Sequence, residues 1–171
     1  MAWIGASIVS ARMLQLADGG ALATIGIQDV EGKSFASEAA RLMPLAELIR
    51  KGLQGQLDFE RELPKRRMLS RGRDVAIAPS VFIDNQVSAH ATVIEVNARD
   101  RLGLLYDMLR ALEDCQLQVI TAHIATYGKK AVDVFYVKDQ YGIKVIHPSK
   151  LAHVQQAVLA AGGSETEEKT A

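Results

Sequence analysis

The chain has 171 residues, close to half of them apolar, and its 20 basic and 20 acidic side chains cancel to zero net charge. That length can bury a real core as one domain or two small ones, and the balanced charge argues against a polyanion-binding or disordered chain. A single cysteine, Cys115, excludes an intrachain disulfide framework and no apolar run is long enough to span a bilayer, so a cytoplasmic protein with no membrane partner is expected.

The N-terminus, Met1 to Gly5, has no basic flank and runs straight into a strand pattern, which is unlike a signal peptide. Ser7 to Leu16 and Ala21 to Gln28 are apolar-rich runs around Asp18-Gly19-Gly20, the composition of a tight hairpin turn. A helical pattern begins at Ser34, with Phe35, Ala39, Leu42, Leu45, Leu48, Ile49 and Leu53 at spacings of three and four. Ser34 or Ser37 is the expected N-cap, and Gly52 to Gly55 ends the run. Pro44 inside it should kink the helix or begin a second segment, because proline lacks the amide and crowds the preceding turn.

Gln56 to Arg73 is polar and basic, a surface connector. It has no interleaved aromatics, so nucleic acid is not the expected partner. Val75 to Ala78 and Ser80 to Val87 read as one strand, or as two divided at Pro79, with Asp84-Asn85 an interruption. Ala91 to Asn97 is a mostly buried strand and Asn97 to Leu102 a turn. Gly103 opens a helix whose apolar positions are Leu104, Leu105, Met108, Leu109, Leu112 and Cys115. Gln118 to Thr126 and Ala131 to Lys138 form a second hairpin, and Ile143 to Ile146 extends the strand pattern. Ser149 is the expected cap of a last helix carrying Leu151, Val154, Val158 and Leu159, and from Gly162 an acidic, disordered tail follows.

The two hairpins are copies of one another. Ile8 to Met13 parallels Val119 to Ile124, and Ala21 to Asp29 parallels Ala131 to Asp139, at an offset of 111 residues before the turn and 110 after it. The second copy is ordered strand, helix, strand, strand, helix, which predicts an α+β, ferredoxin-like unit: an antiparallel sheet with helices on one face. Its last strand is missing, and Ser80 to Val87 is expected to pair with Ala91 to Asn97 in that place. The first copy begins partway through the unit. The expected organisation is therefore a partial first unit over 1–55, a basic linker over 56–79, a second unit over 80–161 and a tail over 162–171. The first hairpin needs cover, within the chain or by self-association.

The best candidate site is the turn Asn97 to Leu105. Gly103 at a helix start lets backbone approach a ligand closely, and first-turn amides favour a carboxylate or phosphate. Asn97 and Asp100 would orient the ligand's amino group, or Asp100 is simply the helix N-cap. His123 is a lone strand histidine and Cys115 a small core residue. His90, His147 and His153 make no metal-ligand spacing, and no Ser/His/Asp arrangement is legible, so no metal site and no catalytic residue are assigned.

The runs VIEVNARDRLGLLYDMLRAL and TAHIATYGKKAVDVFYVKDQYG resemble the C-terminal ACT-domain region of the bifunctional uridylyltransferase/uridylyl-removing enzymes of PII nitrogen signalling. The specific part is Ala122 to Gly128 with Ala131 to Val137 close behind; the Asp100–Gly103–Leu104 turn is common to ACT domains as a class. The resemblance implies tandem ACT domains that sense an amino acid, glutamine being the implied one, with ligand roles at Asn97, Asp100, Gly103 and Leu104. It implies PII as a partner through the parent enzyme, and magnesium for catalytic domains that are not in this chain. No Gly-Ser with Asp-x-Asp ligands and no His-Asp doublet occurs here, so the chain itself is expected to be catalytically silent. Leu102 stands where the family turn has a proline, which would pre-organise the loop. The rival expectations are a freestanding ACT regulator that binds an amino acid, and a fragment without a function of its own.

Overall fold

The computed structural model describes residues 6–16, 18–29, 39–58, 61, 63 and 77–163. Their elements are β1 (Ala6–Gln15), β2 (Ala21–Asp29), α1 (Ala39–Leu53), β3 (Ser80–Asp84), β4 (Thr92–Arg99), α2 (Leu104–Asp114), β5 (Leu117–Tyr127), β6 (Lys130–Asp139) and α3 (Pro148–Gly163). The six strands form one sheet in the order β2-β1-β5-β6-β4-β3, with every pairing antiparallel. Helices α2 and α3 pack on each other and cover one face of its β5-to-β3 part. This is the ferredoxin-like α+β arrangement that the order of elements predicted.

Residue alternation explains the two faces. Along β4, Thr92, Ile94, Val96 and Ala98 are buried, and along β6 so are Ala131, Phe135 and Val137. They meet Met108 and Leu112 of α2 and Val154 and Val158 of α3 in one core, where each large apolar side chain contributes about 2 kcal/mol. Gly162 packs against the start of β3 and the end of β4, where a Cβ would make ordinary contact 3.4 Å from Pro79 and 3.6 Å from Ala98.

Strand β3 pairs with β4 as the short loop between them predicted, Ser80 opposite Asn97 and Asp84 opposite Val93. It stops at Asp84, short of Val87, because the Asp84 carboxylate accepts the N–H groups of Gln86 (2.5 Å) and Val87 (3.2 Å) and turns the chain. Similarly, Ile143 to Ile146 is no strand. The Asp139 carboxylate accepts the N–H of Tyr141 and of Ile143, and Gly142 takes φ 77, so β6 ends there. Val145 is instead pinned by Thr92, whose hydroxyl accepts its N–H at 2.9 Å. Ser149 does not cap α3. The helix opens at Pro148, and the Ser149 hydroxyl lies 2.8 Å from His147 Nδ1. Nor does Pro44 begin a second segment: α1 runs through it, and the proline deletes a single early hydrogen bond. The expected caps Ser34 and Ser37, most of the basic connector and residues 164–171 of the acidic tail lie outside the described residues, whereas Gly162 and Gly163, expected to begin that tail, instead close α3, with Gly162 buried.

The repeat is reproduced in backbone detail. Arg12 pairs with Thr24 as His123 pairs with Val134, and Gln15 with Ala21 as Thr126 pairs with Ala131. Even the register shifts coincide: one lies between Ile8 and Ser10, the other between Val119 and Thr121. One edge of the first hairpin is covered within the chain, where β1 joins β5. Among the described residues β2 is left as an outer edge, with Leu22 and Ile25 exposed, and α1 has no packing face on the sheet comparable with that of α3.

Candidate functional site

The turn after β4 is built from both of its ends. The Asp100 N–H donates to the Lys129 carbonyl at 2.8 Å, tying the turn to the β5–β6 hairpin. Gly103 is the N-cap of α2 with φ 80, a left-handed conformation that suits glycine, and no side chain caps the helix. Asp100 is therefore not the cap. Burial raises the pKa of its half-buried carboxyl above the ordinary range.

Arg101 locks the turn to the helix layer. Its guanidinium Nη2 lies 2.7 Å from Asp107 Oδ2 in the first turn of α2 and donates to the Ala161 carbonyl of α3 at 2.8 Å. Both partners of the ion pair are largely buried. Leu104 is fully in the core, and its N–H already donates to the Arg101 carbonyl at 3.1 Å, closing the turn. The structure thus brings Asp100, Gly103 and Leu104 together at the start of α2. Asn97 is separate from them: it alternates onto the sheet face away from the helices and donates to Glu95 Oε1 at 2.9 Å.

A residue that sequence reasoning passed over sits behind the turn. Asp133 on β6, between Val96 and Ile124 of the neighbouring strands, is 2 % exposed, and its Oδ1 has no hydrogen-bond partner. Burial pushes its carboxyl up to about 7; the Ala125 backbone N–H pulls the other way, and the charge of Asp100 adds to the rise. The signal was present in AVDVFYV, where the only charged side chain falls in phase with the buried Ala131, Phe135 and Val137.

Elsewhere, a shallow cleft of about 330 Å³ is lined by Ser10, Ala11, Arg12, Thr24, His123 and Ile124 at the β1–β5 joint. Cys115 is buried in the core, and burial, then the charge of Asp114, raises its thiol pKa. Among the described residues no three His, Cys, Asp or Glu side chains converge to hold a metal ion, and no helix is long and apolar enough to cross a membrane.

Comparison with known proteins gives this geometry a context. A family model described as the ACR family N-terminal ACT domain matches residues 87–165. The bifunctional uridylyltransferase/uridylyl-removing enzyme of Azospirillum brasilense is 46% identical over 163 residues, covering 94% of this chain and 18% of that protein. Its counterpart in Rhodospirillum rubrum is 42% identical over 163 residues, covering 94% of this chain and 17% of that protein. The one in Gluconobacter oxydans is 46% identical over 160 residues, covering 92% and 17%. The chain spans less than a fifth of the length of these curated relatives.

Proposed function

Because this chain belongs to the ACT-domain region of the bifunctional uridylyltransferase/uridylyl-removing enzyme family, we propose that it is a regulatory unit that senses an amino acid, glutamine, in nitrogen metabolism. ACT domains in general bind small amino acids. The observation that carries the reading to a place on this chain is the turn from Asp100 to Leu104, with its left-handed Gly103 opening α2. The ligand's α-carboxylate sits at the first-turn amides of α2, where the helix dipole favours negative charge. Its ammonium group faces Asp100, and its charge returns that carboxyl towards the ionised form.

Arg101 supplies the route outward. It joins the turn to Asp107 on α2 and to the Ala161 carbonyl near the end of α3, so ordering of the turn is felt by both helices. A ligand shifts such an arrangement only by its difference in affinity for the two states. In the full-length enzyme the shift is passed to uridylyl transfer to PII and its reversal in the cytoplasm, with magnesium serving those catalytic domains rather than this one.

Isothermal calorimetry of the folded chain with L-glutamine tests the sensing role. Saturable heat that disappears in the Asp100→Ala variant is the expected result. A sample with native circular dichroism and no heat would sink the glutamine reading.

A further inference from the structure

The joint between β1 and β5 has an internal two-fold character. Arg12 pairs with His123, which is its own equivalent in the second copy, and Ala11 pairs with Ile124 while Met13 pairs with Ala122. Ala11 thus meets the repeat equivalent of Met13, and Met13 that of Ala11, the self-complementary arrangement of an isologous interface. The consequence is chemical. The symmetric register sets two side chains able to carry positive charge directly opposite each other, about 5 Å apart at Cβ.

Both belong to the sheet face away from α2 and α3, because Ala122 and Ile124 on either side of His123 are buried on the helix side. Thr24 is the cross-strand partner of Arg12 on β2. Ser10 lies two residues along β1 from Arg12, and its hydroxyl occupies the space a side chain at Gly26 would need. The His123 ring is held by the edge of Tyr136, with centroids 5.9 Å apart at 74°. In the same cross-strand row the first carboxylate is Glu95, beyond Val134 on β4, and it accepts from Asn97. Neither Arg12 nor His123 forms an ion pair with it.

We propose that this cleft binds a small oxyanion, a phosphate or carboxylate group held between Arg12 and His123 with the hydroxyls of Ser10 and Thr24 completing its hydrogen bonds. Guanidinium and imidazole donors match the planar and tetrahedral oxygens of such groups, and serine and threonine hydroxyls donate to whichever lone pairs remain. The site is distinct from the Asp100–Gly103 turn and lies on the opposite face of the sheet. An anion there would bridge the two copies of the repeat and tighten the β1–β5 pairing that joins them.

The test is an amide NMR titration of the full chain at fixed chloride-balanced ionic strength, with inorganic phosphate in one arm and succinate in the other. Saturable shifts confined to Ser10–Arg12, Thr24 and His123–Ile124 are expected, and the arm that saturates first identifies the source of the oxyanion. Arg12→Gln should weaken binding about tenfold and Thr24→Val by less, with both spectra otherwise native. A linear response in both arms, or equal saturation in the Arg12→Gln protein, overturns the proposal. L-glutamine shifts at Asp100 to Asp107 are read in a separate titration, so failure of either site is seen independently of the other.

Discussion

Replacing Asp133 by asparagine should flatten the pH dependence of stability. The unfolded carboxyl releases its proton near the ordinary 3.8, whereas the folded one holds it up to about 7. Between those values the folded state binds the extra proton, so stability falls as pH rises through the window and the whole cost is present above it. A rise from 3.8 to about 7, at about 1.4 kcal/mol per pH unit, sets an upper bound of about 4 kcal/mol. Structural relaxation around the carboxylate lowers the expected figure to about 2 kcal/mol. Asparagine keeps the shape and removes the charge, but its amide needs partners that Oδ1 already lacks, a penalty of about 1 kcal/mol at every pH. The clean readout is therefore the slope and not the absolute stability. Urea unfolding followed by circular dichroism at pH 5, 6, 7 and 8 measures it. Wild type should lose stability relative to Asp133→Asn from pH 5 to 8, with the difference levelling off at the alkaline end. Parallel profiles for the two proteins would refute a neutral, buried Asp133.

Two further substitutions probe the turn. Arg101→Met leaves Asp107 and the Ala161 carbonyl without their largely buried partner and should cost about 3 kcal/mol in urea unfolding; adding Asp107→Asn should recover part of that loss, and no recovery would show that the pair is not the cause. Gly103→Val forces a β-branched residue into φ 80 and should cost at least about 1 kcal/mol while abolishing the glutamine heat; an unchanged melting midpoint would mean that the left-handed cap carries no strain.

Much of the fold was legible from local pattern. The helix after Gly103 is written in Leu104, Met108 and Leu112, and these are the residues found buried on α2. The hairpin turns are marked by glycines that do take positive φ, Gly19 and Gly128. The pairing of β3 with β4 follows from the shortness of the loop between them. The misplaced ends share one cause. At Asp84 and Asp139 a carboxylate competes for the backbone amides that would have continued the strand, and apolar residues such as Ile143 and Ile146 beyond them do not compensate. At the site, Gly103 was visible because its chemistry is local. Asp133 was not, because its state depends on which face of β6 the helices cover.

The sequence by itself determined that this chain carries two copies of one hairpin unit and that the second copy is an α+β unit of ACT type. Periodicity, turn residues and the run from Ala122 to Val137 are all properties of near neighbours, and they survive without knowledge of the rest of the chain. Only the tertiary structure decided that the copies join edge to edge with Arg12 opposite His123, that Asn97 faces away from Asp100, and that Asp133 is sealed beneath the helices. Those outcomes turn on long-range complementarity of strand edges and on the coverage of one sheet face. A difference of one residue in register would have reversed each of them.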